Sequence, residues 1–218
     1  MHKYSKEIPF PETKFFTSIA KLDEKEELDS VPSIAFMGRS NSGKSSLLNA
    51  LSNHRGLAKV SKTPGKTKLI NIFRTKVGFN LVDLPGFGYS KASHKEHKDM
   101  MNLLEGFLNS WKQLKILFIL CDSQRDFPEE ELSTIEVAME KKIKPVVIRT
   151  KIDKLNQSGQ HKVRTEMEAA MNEIGIPFRV FYLSATTGRG IGELREFILE
   201  TLGVQTKVSN VEPERESS

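Results

Sequence analysis

Apolar residues follow two patterns along the chain. Short runs at 33–37, 116–122, 145–150 and 178–183 are almost wholly apolar and end in glycine or polar residues, as buried strands do. Between them lie stretches with apolar residues three and four apart, which predicts helices at 44–51, 94–112, 129–142, 160–174 and 191–202. In the second helix the stripe is Met100, Leu103, Leu104, Phe107, Leu108 and Trp111, which places Trp111 in the core. The third helix opens at Pro128 with an acidic first turn, matching the helix dipole. Segments 69–75 and 79–83 alternate instead, and Lys76-Val77-Gly78 between them signals a hairpin. A further strand is expected at 14–19.

Strand–helix alternation with continuous apolar strands implies an α/β fold. We expect a doubly wound, mostly parallel sheet with one antiparallel edge hairpin and helices on both faces. A ligand then belongs at the carboxyl ends of the strands. The expected organisation is an N-terminal extension over 1–30, a domain over 31–203 and a polar, disordered tail over 204–218.

Composition narrows the class. The chain has 218 residues, 38% hydrophobic and 28% charged, enough for one packed domain. No run is long enough to span a bilayer and residues 1–6 lack an apolar signal region, so a cytoplasmic protein without stable membrane insertion is expected. The single cysteine, Cys121, lies in a predicted buried strand, excludes an internal disulfide and should be inert. The five histidines form no zinc-type constellation. Net charge is +5, but it is local: residues 33–100 carry twelve basic and three acidic side chains, and Arg55 to Lys76 holds seven bases and no acid. Such a run is usually a solvated face unless motifs give it work.

The motifs do. Gly38-Arg39-Ser40-Asn41-Ser42-Gly43-Lys44-Ser45 follows a buried strand and opens a helix, the context that a phosphate-cradling G-x-x-x-x-G-K-[ST] loop requires. Its backbone N–H groups and the helix N-terminus would face phosphate oxygens. Lys44 would reach the β and γ phosphates, and the Ser45 hydroxyl would ligate Mg²⁺. Asp83-Leu84-Pro85-Gly86 ends a strand one hairpin later; Asp83 can hold Mg²⁺ through water and the Gly86 N–H can meet a γ phosphate. Thr150-Lys151-Ile152-Asp153 ends another strand. The Asp153 carboxylate can accept from guanine N1–H and its 2-amino group, which adenine lacks, and the Lys151 stem can lie along the base. Leu183-Ser184-Ala185 ends the next strand, where the Ala185 N–H could meet guanine O6. In the mobile loop between the first two motifs, Thr63 and Thr67 both have the hydroxyl that Mg²⁺ needs, and spacing does not separate them.

On these stretches, together with Ser61-Lys-Thr-Pro-Gly-Lys-Thr67 and Asp83-Leu-Pro-Gly-Phe-Gly-Tyr89, the sequence resembles the EngB (YsxC/YihA) GTP-binding proteins, Era-like P-loop GTPases, over roughly residues 30–202. The resemblance implies a Ras-like G domain. It also implies Thr67 as the switch threonine and Mg²⁺ ligand, with Gly65, Lys66, Thr67, Lys68 and Leu69 beside the nucleotide and Lys44, Thr67 and Gly86 serving hydrolysis. A role in assembling the large ribosomal subunit, through rRNA and ribosomal protein, and in normal division and septation is implied as well. The family commonly has threonine where many GTP-binding proteins have asparagine, as at Thr150.

Phe87 follows Asp83-Leu-Pro-Gly86, where Ras-type enzymes carry a water-orienting glutamine, so slow intrinsic hydrolysis is expected. Asn41 is a candidate K⁺ ligand, by analogy with potassium-activated relatives. Nothing suggests a stable dimer. Two rival readings are a P-loop ATP-dependent kinase, opposed by Thr150-Lys-Ile-Asp153, and a division-linked interaction module without significant catalysis.

Overall fold

A computed structural model describes residues 10, 12–20, 22, 30–58, 69–86, 94–175 and 177–204. In chain order the elements are β1 (Lys14–Ile19), β2 (Ser33–Gly38), α1 (Lys44–Leu51), β3 (Ile70–Arg74), β4 (Asn80–Asp83), α2 (His94–Ser110), β5 (Leu114–Asp122), α3 (Glu129–Glu140), β6 (Lys144–Thr150), α4 (Gln157–Ile174), β7 (Arg179–Tyr182) and α5 (Ile191–Thr201). The seven strands form one sheet in the order β1-β3-β4-β2-β5-β6-β7. β4, β2, β5, β6 and β7 pair in parallel, whereas β3 pairs antiparallel with both β4 and β1. The expected mostly parallel sheet with one hairpin is present, and β1 covers the outer side of that hairpin and forms the rim.

Strand alternation sorts the apolar side chains into two cores. Ala35, Met37, Leu117, Ile119 and Val147 pack on one face with Leu104 and Phe107 of α2, Ile135 of α3 and Met167 of α4. Ile34, Phe36, Ile116, Phe118, Val146 and Ile148 pack on the other with Leu47 and Leu51 of α1 and Leu194 and Ile198 of α5. Each of the larger of these side chains contributes roughly 1.5–3 kcal/mol when fully buried. Trp111 and Cys121 are buried as expected. Desolvation pushes the Cys121 thiol up to about 11, so it stays protonated.

One helix start differs from the sequence reading. Helix α4 starts at Gln157, not 160, because the Asn156 side chain caps it by accepting from Gly159 N at 2.9 Å. In α3, Pro128 is the extended N-cap residue, and the third acid of the first turn, Glu131, is buried. At the rim, a register shift between Phe15 and Thr17 breaks the alternation of β1, and both Phe15 (55%) and Phe16 (44%) stand exposed. The Arg74 guanidinium lies 4.0 Å from the Phe16 ring centre.

Candidate functional site

The site is built where β2, β4, β6 and β7 end. β2 stops at Gly38, where a Cβ would fall 2.6 Å from the Leu120 carbonyl oxygen and 2.7 Å from Ser42 Oγ, so no larger residue fits. The chain then turns tightly: Ser42 N donates to the Arg39 carbonyl at 3.0 Å, Asn41 sits at φ 68° and Gly43 at φ 90°. Lys44 and Ser45 open α1, whose Leu47 N donates to the Gly43 carbonyl at 2.9 Å. A turn of this kind aims successive N–H groups into a concavity at a helix N-terminus, an arrangement suited to anions.

β4 delivers Asp83 beside that loop, and the carboxylate pairs with the Lys44 ammonium; both side chains are largely buried, 8% and 13% exposed. Leu84 N donates to the Phe36 carbonyl at 3.0 Å, Leu84 and Pro85 are buried, and Gly86 packs on the loop, where its Cβ would stand 3.3 Å from Gly38 O and 3.7 Å from Ser40 N.

β6 and β7 supply the other wall. Thr150 Oγ1 donates to the Ser42 carbonyl at 2.6 Å and approaches the Cys121 carbonyl at 3.4 Å, binding β6 to the loop. Lys151 takes a left-handed φ of 56°, and its ammonium donates to the Asn41 carbonyl at 2.8 Å and pairs with Asp122 at 2.7 Å. Ile152 N donates to the Leu183 carbonyl at 3.2 Å, which fastens the two strand ends together. Ser184, itself buried, accepts at Oγ from Thr187 N at 3.2 Å and donates its own N–H to the Arg189 carbonyl. Ala185 and the Asp153 side chain, 18% exposed, stand at this end.

The sequence-predicted residues 38–45, 83–86, 150–153 and 183–185 thus form one continuous site. Gly65, Lys66, Thr67 and Lys68, and also Thr63 and Phe87, lie outside the described residues. Leu69 is described and is 38% exposed.

Comparison with known proteins decides the family. Residues 33–151 match a family model described as a 50S ribosome-binding GTPase. A probable GTP-binding protein EngB of Leptospira biflexa serovar Patoc is 97% identical over 98% of this chain and all of its own length. The chain belongs to the EngB family of GTP-binding proteins. A Clostridium perfringens EngB is 37% identical over 87% of this chain and 95% of its own length. A crystal structure of a probable GTP-binding protein engB covers 79% of this chain and 100% of its own, with a TM-score of 0.64 at 21% identity, and so shares the fold.

Three residues at this EngB site escape motif reading. Asp122 anchors Lys151, as above. Asn71 of β3 donates from Nδ2 to Asp83 Oδ2 at 3.4 Å. Glu131 lies under the loop among Arg39, Ser42 and Cys121, fully buried, with neither carboxylate oxygen hydrogen-bonded among the described residues. Burial pushes its carboxyl up to about 7, with Arg39 pulling the other way. An acidic first turn reads as solvent-facing, but the spacing of Glu131 with Ile135 and Ala138, both buried, is the signal of an inward face.

Proposed function

We propose that this EngB-family chain is a GTP-driven switch that docks on the large ribosomal subunit during its assembly and thereby serves normal division and septation. One observation carries the nucleotide half of this reading: the Lys44–Asp83 ion pair at the mouth of the 38–45 loop. A buried cation and carboxylate facing a helix N-terminus form a pair that nucleotide can divide, Lys44 moving to the phosphates and Asp83 to the metal side. Gly38, Arg39, Ser40, Asn41, Ser42 and Gly43 cradle the phosphates, Gly86 contacts the γ phosphate, and Asp153 and Ala185 select guanine. Gly65, Lys66, Lys68, Leu69, Leu84 and Pro85 border the phosphates; Lys151, Ile152, Leu183 and Ser184 shape the base pocket. Thr150 contributes through the Ser42 carbonyl.

The donor set fits Mg²⁺: the Ser45 hydroxyl and the Asp83 carboxylate are hard oxygens. Asp83, already engaged by Lys44 and Asn71, suits contact through water, and Thr67 completes the set. Bound there, Mg²⁺ neutralises charge on the β and γ oxygens. With Phe87 in place of a water-orienting side chain, intrinsic turnover is slow, about 10⁻⁴–10⁻³ s⁻¹, and rises on the ribosome or with K⁺ at Asn41. Within the basic run, Arg55, Lys59, Lys62 and Lys68 supply phosphate-backbone contacts beside the first switch. Arg74 and Lys76 do not, because β3 carries them to the opposite end of the sheet, beside Asn80 at the start of β4, where Lys76 pairs with Glu12. The 50S ribosome-binding description of the matching family model supports the partner.

The test is sedimentation of cell extract with GDP or a non-hydrolysable GTP analogue. Nucleotide-dependent migration with large-subunit particles is expected. Absence from those fractions in both states overturns the ribosomal role, and co-migration with a division protein instead favours the interaction module.

A further inference from the structure

Sheet register sets three polar residues in one row. In the β3–β4 pair Asn71 stands directly opposite Asp83, and in the β1–β3 pair Ser18 stands directly opposite Asn71. Directly opposed side chains on one face approach to about 4.5–5.5 Å between Cβ atoms, close enough for short polar groups to bond. They do: Ser18 Oγ donates to Asn71 Oδ1 at 2.6 Å, and Asn71 Nδ2 donates to Asp83 Oδ2 at 3.4 Å. The other oxygen of Asp83, Oδ1, faces the Lys44 ammonium.

The chemistry fixes the direction of the row. A carboxylate can only accept, so the amide must turn its NH₂ toward Asp83 and its oxygen toward the Ser18 hydroxyl. Asparagine is the short neutral side chain that offers a donor to one neighbour and an acceptor to the other. Alanine offers neither, and aspartate would set a second carboxylate against the first.

We propose that Asn71, its amide oriented by Ser18, is a positioning residue that holds the Asp83 carboxylate in place when nucleotide draws Lys44 away. The inference rests on Asp83 being the metal-side carboxylate, and it assigns a task in the nucleotide site to the rim strand β1. Without Asn71 the freed carboxylate would rotate and would no longer offer a fixed acceptor on the side where Mg²⁺ would bind. The amide itself touches neither phosphate nor metal.

The experiment measures GDP affinity with a fluorescent analogue, in EDTA and across a Mg²⁺ titration, on the full chain. Asn71→Ala is expected to raise the Mg²⁺ concentration for half-maximal effect about 5- to 10-fold while leaving affinity in EDTA within about twofold, since the lost bond is a single long one, 3.4 Å, of ordinary net strength. Ser18→Ala should give about a 2- to 3-fold rise, and Ser18→Thr, which keeps the hydroxyl, should behave as wild type. Asn71→Asp should exceed Asn71→Ala. A merely structural role would lower thermal stability and weaken binding equally with and without Mg²⁺, and that result overturns the proposal; so does an unchanged Mg²⁺ response in Asn71→Ala. If the wild-type protein itself shows no Mg²⁺ dependence, the assignment of Asp83 fails, and this inference with it.

Discussion

The two walls of the nucleotide site are held by different forces. On the base side, neutral hydrogen bonds dominate: Thr150 to the Ser42 carbonyl, Ile152 to Leu183, Thr187 to Ser184. These bonds have no reason to break when a base arrives, so that wall is preorganised. On the phosphate side, charges are paired with one another: Lys44 with Asp83 and Arg39 with Glu130, while the base side holds one such pair, Lys151 with Asp122. On the proposed function, a charge paired in the free protein changes partner to meet phosphate, so this wall is expected to rearrange on binding. The contrast teaches that, on the proposed function, selection of guanine and sensing of the phosphates would be separable tasks of one sheet edge.

The largest expected effect tests the exchange of partners directly. Lys44→Ala removes the cation and leaves Asp83 buried beside the anionic ligand; nucleotide affinity should fall roughly 100-fold or more. Unchanged binding of a fluorescent GTP analogue would falsify the division of that ion pair. Asp153→Asn replaces a double acceptor with a group that offers one acceptor and one donor, and the preference for GTP over ATP in competition should shrink roughly 10- to 100-fold. Loss of phosphate affinity without loss of base preference in that variant would erase the separation of the walls.

A third effect concerns Glu131 behind the loop. Its folded carboxyl titrates at about 7, above its ordinary 4.5, because burial disfavours the charge. Between those values the unfolded chain releases this proton first, so stability declines as pH rises through that window, and the full penalty stands above pH 7. Glu131→Gln should therefore melt near the wild type at pH 4–5 and several degrees higher at pH 8, from a penalty on the order of 3 kcal/mol. A gap independent of pH would show that the carboxyl is not neutral in the fold. The smallest effect belongs to the preorganised wall: Thr150→Val strands the Ser42 carbonyl and costs about 1 kcal/mol, about fivefold in nucleotide affinity. Because that bond is neutral, the loss should be the same at low and high salt, whereas binding through the paired charges weakens as salt rises.

What could be read in advance follows from how local each signal is. The 38–45 loop is contiguous, and its glycines, its lysine and the strand before it all lie within one window of sequence. The strands 33–38 and 114–122 declare themselves because both faces are buried, which leaves an unbroken apolar run. The row of Ser18, Asn71 and Asp83 has no such signature. Ser18 and Asn71 are 53 positions apart, and only the register of β1 against β3 makes them neighbours. Glu131 was hidden by its own company, since two exposed acids precede it. The start of α4 was hidden by Gly159, which reads as a breaker but serves the cap through its N–H.

That cross-strand row has a thermodynamic consequence. Ser18 stands three positions from Phe15 and two from Phe16, the rings exposed at the rim of the sheet. If the row positions Asp83 as proposed, anything that grips the rim and shifts β1 would act on Asp83 through two hydrogen bonds. Coupling free energy is reciprocal: if occupancy at the rim tightens nucleotide binding by some factor, nucleotide tightens occupancy at the rim by the same factor. The outermost strand of the sheet would then be a second input to the switch, one that reports and receives in equal measure.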